Sequence, residues 1–341
     1  MRVLKSLTRG IAITAIKGRI MRFLITGGAG FIGSHLCERL IQNGHDVVCL
    51  DNFNSFYDQR IKRRNVQPLL SHPRYRLVEG DILVWKILKS VFEEGNFEVV
   101  VHLAARAGVR PSIQTPRIYQ KVNVEGTLNL LELSTQFNIP KFILASSSSV
   151  YGKNTKVPFS EKDPVDFPIS PYAATKKACE LLAFTYYSLH SLSVTCLRLF
   201  TVYGPRQRPD MAIHKFTKLI SEGKEIPLYG DGTSRRDYTY ITDIMHGMEK
   251  AIQRCKGYNI YNLGESETVE LRSLIRIIEG TLNRKAKIKL LPVQPGDVPI
   301  TFADISKAKD ELGYFPRVSI KEGILEFIRW YKRTVCSWKE S

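Results

Sequence analysis

Arg22-Phe23-Leu24-Ile25-Thr26-Gly27-Gly28-Ala29-Gly30-Phe31-Ile32-Gly33 joins a short apolar run to a glycine-rich turn and the start of an apolar-periodic stretch. The run predicts a buried strand, and the periodic stretch predicts a helix to about Gln42. Strand, glycine turn and helix come in the order that a dinucleotide phosphate site requires. The glycines allow a tight turn and let backbone amides approach a pyrophosphate on the helix N-terminus. Gly27, Gly30 and Gly33 are spaced GxxGxxG rather than GxGxxG, and such a motif alone is a weak signal. The next predicted strand, Asp46 to Leu50, ends in Asp51. An acid about 20 residues past the glycines accepts hydrogen bonds from an adenosine ribose and repels a 2′-phosphate, so NAD is favoured over NADP. The competing reading of Asp51 is a turn residue before Asn52.

Outward from this unit, strands are expected at Tyr75–Val78, Phe97–His102, Lys141–Ala145 and Ser193–Leu199, with a long helix from about Ile118 to Phe137. Alternating strands and helices imply a right-handed, doubly wound parallel sheet, an α/β Rossmann-like fold. Ligands gather at the carboxyl ends of such strands. Gly27, Asp51, Ala104 and the run Ser146 to Ser149 all fall there. Asp81 either faces the adenine edge or caps the next helix. The serine run follows a buried strand directly, which argues against a flexible linker.

Ser170-Pro171-Tyr172-Ala173-Ala174-Thr175-Lys176 starts a helix, with Ser170 as N-cap and Pro171 at the first position. Tyr172 and Lys176 then share one face. A cation beside a phenol favours the phenolate, and the pair can take a proton from an alcohol while a cofactor oxidises the carbon. YxxxK by itself is equally an ordinary helix.

Past Leu199 the pieces become shorter: a helix near Ile213 to Ser221, strands near Glu225 to Tyr229, Arg236 to Tyr240 and Gly257 to Leu263, and a helix from Asp243. Residues 21–200 are expected to form the NAD-binding domain. Residues 201–335 are expected to form mainly a smaller, mixed substrate lobe over the sheet's mouth, with some segments returning to the sheet. Residues 1–20 carry five basic residues and no acid. They read as an upstream-start artefact with Met21 the true start, as a basic amphipathic segment touching a membrane surface, or as a targeting peptide.

The 341-residue chain is 43% hydrophobic and 24% charged, ordinary for a soluble globular protein. No apolar run is long enough to span a bilayer. The six cysteines form no CxxC pair, which suits a reducing cytoplasm. No His pair stands at metal-ligand spacing, so no catalytic metal is expected. The net charge of +17 is spread along the chain without an aromatic–basic stripe, which favours small polyanionic ligands over nucleic acid.

TGGAGFIG at 26–33, HLAA at 102–105, SSSSVYG at 146–152 and YAATK at 172–176 together resemble the extended short-chain dehydrogenase/reductase family, and within it the nucleotide-sugar epimerases and dehydratases. The resemblance covers about Met21 to Tyr331. It implies a catalytic set of Ser147, Tyr172 and Lys176 around a tightly held NAD. It also implies a cofactor bed of Gly27, Gly30, Phe31, Ile32, Gly33, Asp51, Asn52, Asp81, Ile82, Leu103, Ala104 and Ala105, with Tyr172 and Lys176. A homodimer through a helix pair is implied as well. LRLFTVYGPRQRPDMA at 197–212, HLAARAGVRPS at 102–112, DNFNSFYD at 51–58 and QPGDV at 294–298 look most like the UDP-glucuronate 4-epimerase group. That likeness implies substrate contacts from Ser148, Ser149, Thr201, Arg208 and Met211, with Arg236 at the pyrophosphate and Asp297 at the uridine ribose. Dehydratases carry an Asp-Glu pair where Ser148 and Ser149 stand, and the Glu of the decarboxylases is not found. A 4-epimerase for UDP-glucose or UDP-N-acetylglucosamine is the nearest alternative, although that group usually has Asn at Thr201. A UDP-glucuronate decarboxylase and a non-catalytic NAD-binding regulator remain as further readings. Arg106 stands where Gln or Met is expected, and Gln294 where many relatives have Arg.

Overall fold

The structure is a computed structural model that describes residues 19–334; the expectations for residues 1–18 and for Cys336 lie outside this range. Thirteen strands are described in chain order: β1 (Arg22–Thr26), β2 (Asp46–Asp51), β3 (Tyr75–Glu79), β4 (Val99–His102), β5 (Lys141–Ser147), β6 (Ser193–Leu199), β7 (Thr201–Tyr203), β8 (Glu225–Tyr229), β9 (Arg235–Arg236), β10 (Tyr238–Tyr240), β11 (Tyr258–Leu263), β12 (Val269–Glu270) and β13 (Lys287–Leu291). Seven of them form one parallel sheet in the order β11-β6-β5-β4-β1-β2-β3. The chain winds outward one way through β2 and β3, then the other way through β4, β5, β6 and β11. The reversal between β1 and β4 opens a crevice at their carboxyl ends, the natural place for a ligand in such a sheet.

Both faces of the sheet are apolar because both are covered. Phe23, Ile25, Val47, Val99 and Val101 pack on one side, and Leu24, Val48, Val100, Phe142 and Leu144 on the other. Alternate residues of β1 thus enter different cores, as the period of two requires. The remaining strands make three two-stranded sheets, pairing β7 with β10, β8 with β13 and β9 with β12.

Three local expectations change. The helix foreseen from Ile118 to Phe137 is three successive segments, with a π-helical turn at Gln120–Glu125 between Pro116–Tyr119 and Gly126–Gln136. Asn123 in that turn holds Arg106 at both backbone atoms: its Oδ1 accepts from Arg106 N at 2.8 Å and its Nδ2 donates to Arg106 O at 3.1 Å. The strand foreseen from Arg236 to Tyr240 breaks at Asp237. The buried carboxylate of Asp237 accepts from Glu265 N, Ser266 N, Ala303 N and the Thr239 hydroxyl. Asp81 does not cap a helix: the next helix, Trp85–Gly95, has Val84 as its N-cap residue. Asp81 instead accepts from Leu83 N and from Asn52 Nδ2. The helix Gln59–Val66 went unforeseen because QRIKRRNV is polar on most of its surface; Asp58 caps it by accepting from Arg60 N.

Candidate active site

A cavity of about 460 Å³ opens at the crevice between β1 and β4. Gly27, at the end of β1, has φ +70°, and a Cβ there would lie 2.7 Å from Ala104 N. A Cβ on Gly33 would lie 2.3 Å from Gly27 O. The turn therefore tolerates no side chain at either position, and both glycines line the cavity. The helix Phe31–Gln42 begins at Gly30 without a side-chain cap, so its first amides are left to a ligand. A cradle of bare backbone at a helix N-terminus fits a dinucleotide pyrophosphate.

Asp51 ends β2, is buried, and lines the same cavity. Its Oδ2 accepts from Ala29 N at 3.1 Å and its Oδ1 from Phe53 N at 2.8 Å. Asp51 thus closes the turn, as one of its two readings expects, and its carboxylate oxygens have acceptor capacity beyond these two bonds. Lys62 lies 3.6 Å from Asp51 Oδ1. Burial lowers the Lys62 pKa, with Asp51 opposing the shift. Asn52, Asp81, Ile82, Leu103, Ala104, Ala105, Phe31 and Ile32 also line the cavity.

The expected reacting groups come from two adjoining elements. The helix Pro171–His190 starts at Ser170, whose hydroxyl accepts from Ala173 N at 3.1 Å. It brings Tyr172 and Lys176 to the cavity wall. Lys176 is almost fully buried and donates from Nζ to Ala145 O at 2.7 Å, which leaves two ammonium donors. The Tyr172 ring meets Tyr119 edge-on, 6.2 Å between centroids. β5 extends through Ser147, and a 3-10 turn at Ser148–Tyr151 follows. The Ser147 hydroxyl accepts from Ser149 N at 3.2 Å and donates to Ser149 Oγ at 3.1 Å. His102 behind them is buried between Thr26 Oγ1 and Thr127 Oγ1; burial, then the Lys176 charge, lowers its pKa to about 3. It is therefore neutral at working pH.

Below the serine turn lies a buried ion pair. Arg198 Nε and Nη2 donate to Glu180 at 2.9 and 2.8 Å, and Arg198 Nη1 donates to Tyr151 OH at 3.1 Å. Ser146 donates to Glu180 at 2.6 Å, so this serine faces the support rather than the reaction. Burial works against the Arg198 charge, but the bonds to Glu180 and its charge outweigh it and raise the guanidinium pKa.

The residues expected to contact substrate, Ser148, Ser149, Thr201, Arg208 and Met211, all line the cavity. Arg208 already binds Asp210 through Nε at 3.0 Å and Nη2 at 2.8 Å, leaving Nη1. Burial opposes the Arg208 charge, and Asp210 outweighs it. Arg236 and Asp297 do not line this cavity. They belong to a neighbouring cluster. Asp297 accepts from Arg110 Nη2 at 2.6 Å, and the Arg110 guanidinium lies 4.2 Å from the centroid of the Tyr229 ring. Arg236 Nη1 donates to the carbonyls of Arg235 and Pro299. Its pKa is lowered by burial, and the Arg110 charge adds to that, against Tyr238 and Asp297. The cluster borders the cavity, since Val109, next to Arg110, lines it. Sequence reasoning assigned no role to Phe56, Tyr57, Lys62 or Arg106, which also line the cavity; the DNFNSFYD stretch was the available signal for the first two.

Comparison with known proteins gives the family and matches the fold. The chain is 44% identical to a UDP-glucuronate 4-epimerase of Thermodesulfobacterium geofontis over 314 residues, 92% of this chain and 97% of that protein. It is 45% identical to UDP-glucuronate 4-epimerase 4 of Arabidopsis thaliana over 326 residues, 90% of this chain and 74% of that one. Its fold matches a UDP-glucuronic acid 4-epimerase from Bacillus cereus, solved in complex with UDP-glucuronic acid and NAD, with a TM-score of 0.87, 37% identity and coverage of 92% and 99%. The family model described as GDP-mannose 4,6 dehydratase matches residues 24–327. The chain thus belongs to the GDP-mannose 4,6 dehydratase family of extended short-chain dehydrogenases/reductases.

Proposed function

We propose that this protein is an NAD-dependent 4-epimerase that interconverts UDP-glucuronate and UDP-galacturonate. The observation that carries the reading is one cavity holding the glycine cradle, Ser147, Tyr172 and Lys176 together with the hydroxyls of Ser148, Ser149 and Thr201. NAD, when bound, supplies reversible oxidation at C4 of the sugar. The chain's own groups handle the protons. Tyr172, as phenolate beside the Lys176 cation, takes the proton from the C4 hydroxyl and later returns it. Ser147 donates to the same oxygen once its bond to Ser149 is given up. The oxidised sugar is a β-keto acid, which loses carbon dioxide when its carboxylate turns perpendicular to the ketone. Ser148, Ser149 and Thr201 hold that carboxylate in place, with the remaining donor of Arg208. No carboxylate stands at 148 or 149 to drive elimination.

Arg236, Arg110 and Asp297 form the nucleotide end in this reading. The helix Pro171–His190 exposes Leu181, Phe184 and Leu189, which supports a homodimer through this face. The five described cysteines are free and buried, which supports a reducing cytoplasm. Among the described residues no helix is long and apolar enough to cross a membrane.

Incubation of the purified protein with UDP-glucuronate and no added NAD, followed by NMR of the anomeric protons, tests the proposal. UDP-galacturonate alone is expected. Conversion of UDP-glucose or UDP-N-acetylglucosamine instead would keep the mechanism and discard the substrate.

A further inference from the structure

Arg106 is a cation of the cavity that the function above leaves unused, and one without an acid partner among the described residues. It lines the cavity on the segment after β4, beside Ala104 and Ala105. Its backbone is fixed at both polar atoms by Asn123, and Asn123 is fixed in turn by donating to Thr175 Oγ1 at 3.0 Å. The side chain therefore leaves from a rigid point. Its guanidinium lies 5.4 Å from the centroid of the Phe56 ring, and that of Arg208 lies 5.5 Å from the same centroid. Both arginines and Phe56 line the cavity.

The two arginines differ in what neutralises them. Arg208 is held by Asp210 through two bonds. Lys62, the next cation along the wall, is paired with Asp51. Arg106 has no ion pair and no side-chain hydrogen bond among the described residues, and its guanidinium lies over the Phe56 ring. A guanidinium fork on a fixed backbone, over an aromatic ring at 5.4 Å from its centroid and without an acid, is suited to receive an oxyanion. Its charge is felt within the cavity: it adds to the lowering of the Lys62 pKa, after burial and against Asp51.

We propose that Arg106 is a second oxyanion-binding residue of this cleft, taking a phosphate or carboxylate oxygen of the bound dinucleotide or sugar nucleotide. This rests on the function proposed above for the identity of the sugar nucleotide, but not for the oxyanion itself. A purely structural role would be to hold the Phe56 loop by stacking. Charge and stacking can be separated by experiment.

Full-length wild type, Arg106→Gln, Arg106→Lys and Phe56→Leu are compared by NAD content after gel filtration, by calorimetric Kd for UDP and UDP-glucuronate, and by melting temperature. The Asn123 clamp uses only backbone atoms of residue 106, so Arg106→Gln should melt close to wild type. It should weaken one of the three ligands by about tenfold or more, the scale of a lost charged hydrogen bond. Arg106→Lys should recover much of that loss, and Phe56→Leu should stay within about twofold of wild type. Loss of NAD alone assigns a dinucleotide phosphate. Equal weakening of UDP and UDP-glucuronate assigns the nucleotide diphosphate, and weakening of UDP-glucuronate alone assigns the sugar carboxylate. NAD content and both Kd values within about twofold of wild type in folded Arg106→Gln would overturn the proposal. So would a loss in Phe56→Leu equal to that in Arg106→Gln. If Arg106→Gln does not fold, Arg106→Met takes its place: one ligand weakened about tenfold or more, with recovery in Arg106→Lys, supports the proposal, and NAD content and both Kd values within about twofold of wild type overturn it. Failure of wild type to bind UDP-glucuronate would refute the function above while leaving the NAD measurement to decide on Arg106.

Discussion

The carboxyl end of the sheet and the short-stranded region after Leu199 are built differently. At the carboxyl end, Ser147, Tyr172 and Lys176 sit on the end of the central strand β5 and the first turns of a 20-residue helix. They rest on a buried network in which Arg198, Glu180, Tyr151 and Ser146 satisfy one another. After Leu199, apart from β11, the strands pair only two by two, Arg208 pairs with Asp210 within one loop, and Asp297 pairs with Arg110 of the helix Val109–Gln114. In the proposed function the first region holds the geometry for proton transfer. In the second, Arg208 and Arg110 each have an acid partner that a ligand oxyanion would replace, Asp210 and Asp297. Proton transfer and substrate binding are thus assigned to regions built on different numbers of paired strands.

The contrast can be broken most sharply at Tyr172. Tyr172→Phe should lower kcat by about 1,000-fold or more and leave NAD content unchanged, as expected for loss of a general acid–base group from an intact fold. Steady-state kinetics with cofactor quantification checks this. Turnover near wild type would remove the mechanism.

A smaller but still large effect is expected beneath the site. Arg198→Met leaves Glu180 buried without its main partner and should cost about 3–5 kcal/mol of stability by denaturant unfolding. The double variant Arg198→Met with Glu180→Leu should regain most of it. If the single variant melts like wild type, the support under the serine turn is not what holds it.

The lobe offers the mildest test. Burial, followed by the charges of Asp243, Asp237 and Glu267, pushes Glu265 up to about 8. Its Oε2 is buried without a hydrogen-bond partner among the described residues. The folded protein thus keeps a proton that the unfolded chain releases above its ordinary carboxylate pKa. Stability from this group falls as pH rises from about 4.5 to about 8. Wild type should therefore lose a few degrees of melting temperature between pH 6.5 and 8.5, and Glu265→Gln should flatten that slope. An unchanged slope in the variant would place the titration elsewhere.

Features written in contiguous residues were legible in the sequence: the glycine turn, Asp51 at the end of β2, and Tyr172 four residues before Lys176. Each depends on a local period or spacing. What escaped depends on partners far apart in the chain. Arg110 and Asp297 are 187 residues apart and meet only through the fold. Asp81 reads as a cap until Asn52 is seen to claim it. The π turn at Gln120–Glu125 leaves no mark that the periodicity reading catches; it carries Asn123, which bonds the Arg106 backbone 17 residues earlier. Arg106 looked like a local irregularity, and its lack of an acid partner is visible only in three dimensions. Lys62 was hidden in a helix polar on most sides, and only the fold sets it against Asp51.

The central claim of the proposed function is that the carboxyl end of the sheet performs the chemistry while Thr201 and the serine turn decide what becomes of the sugar. The partition of product between UDP-galacturonate and carbon dioxide, measured for Thr201→Ala beside wild type, tests it most directly. The account predicts UDP-galacturonate alone from wild type. From Thr201→Ala it predicts continued oxidation at C4, with carbon dioxide released as the carboxylate loses one of its holders. Undiminished epimerisation without carbon dioxide, or complete loss of C4 oxidation in the variant, would contradict the division.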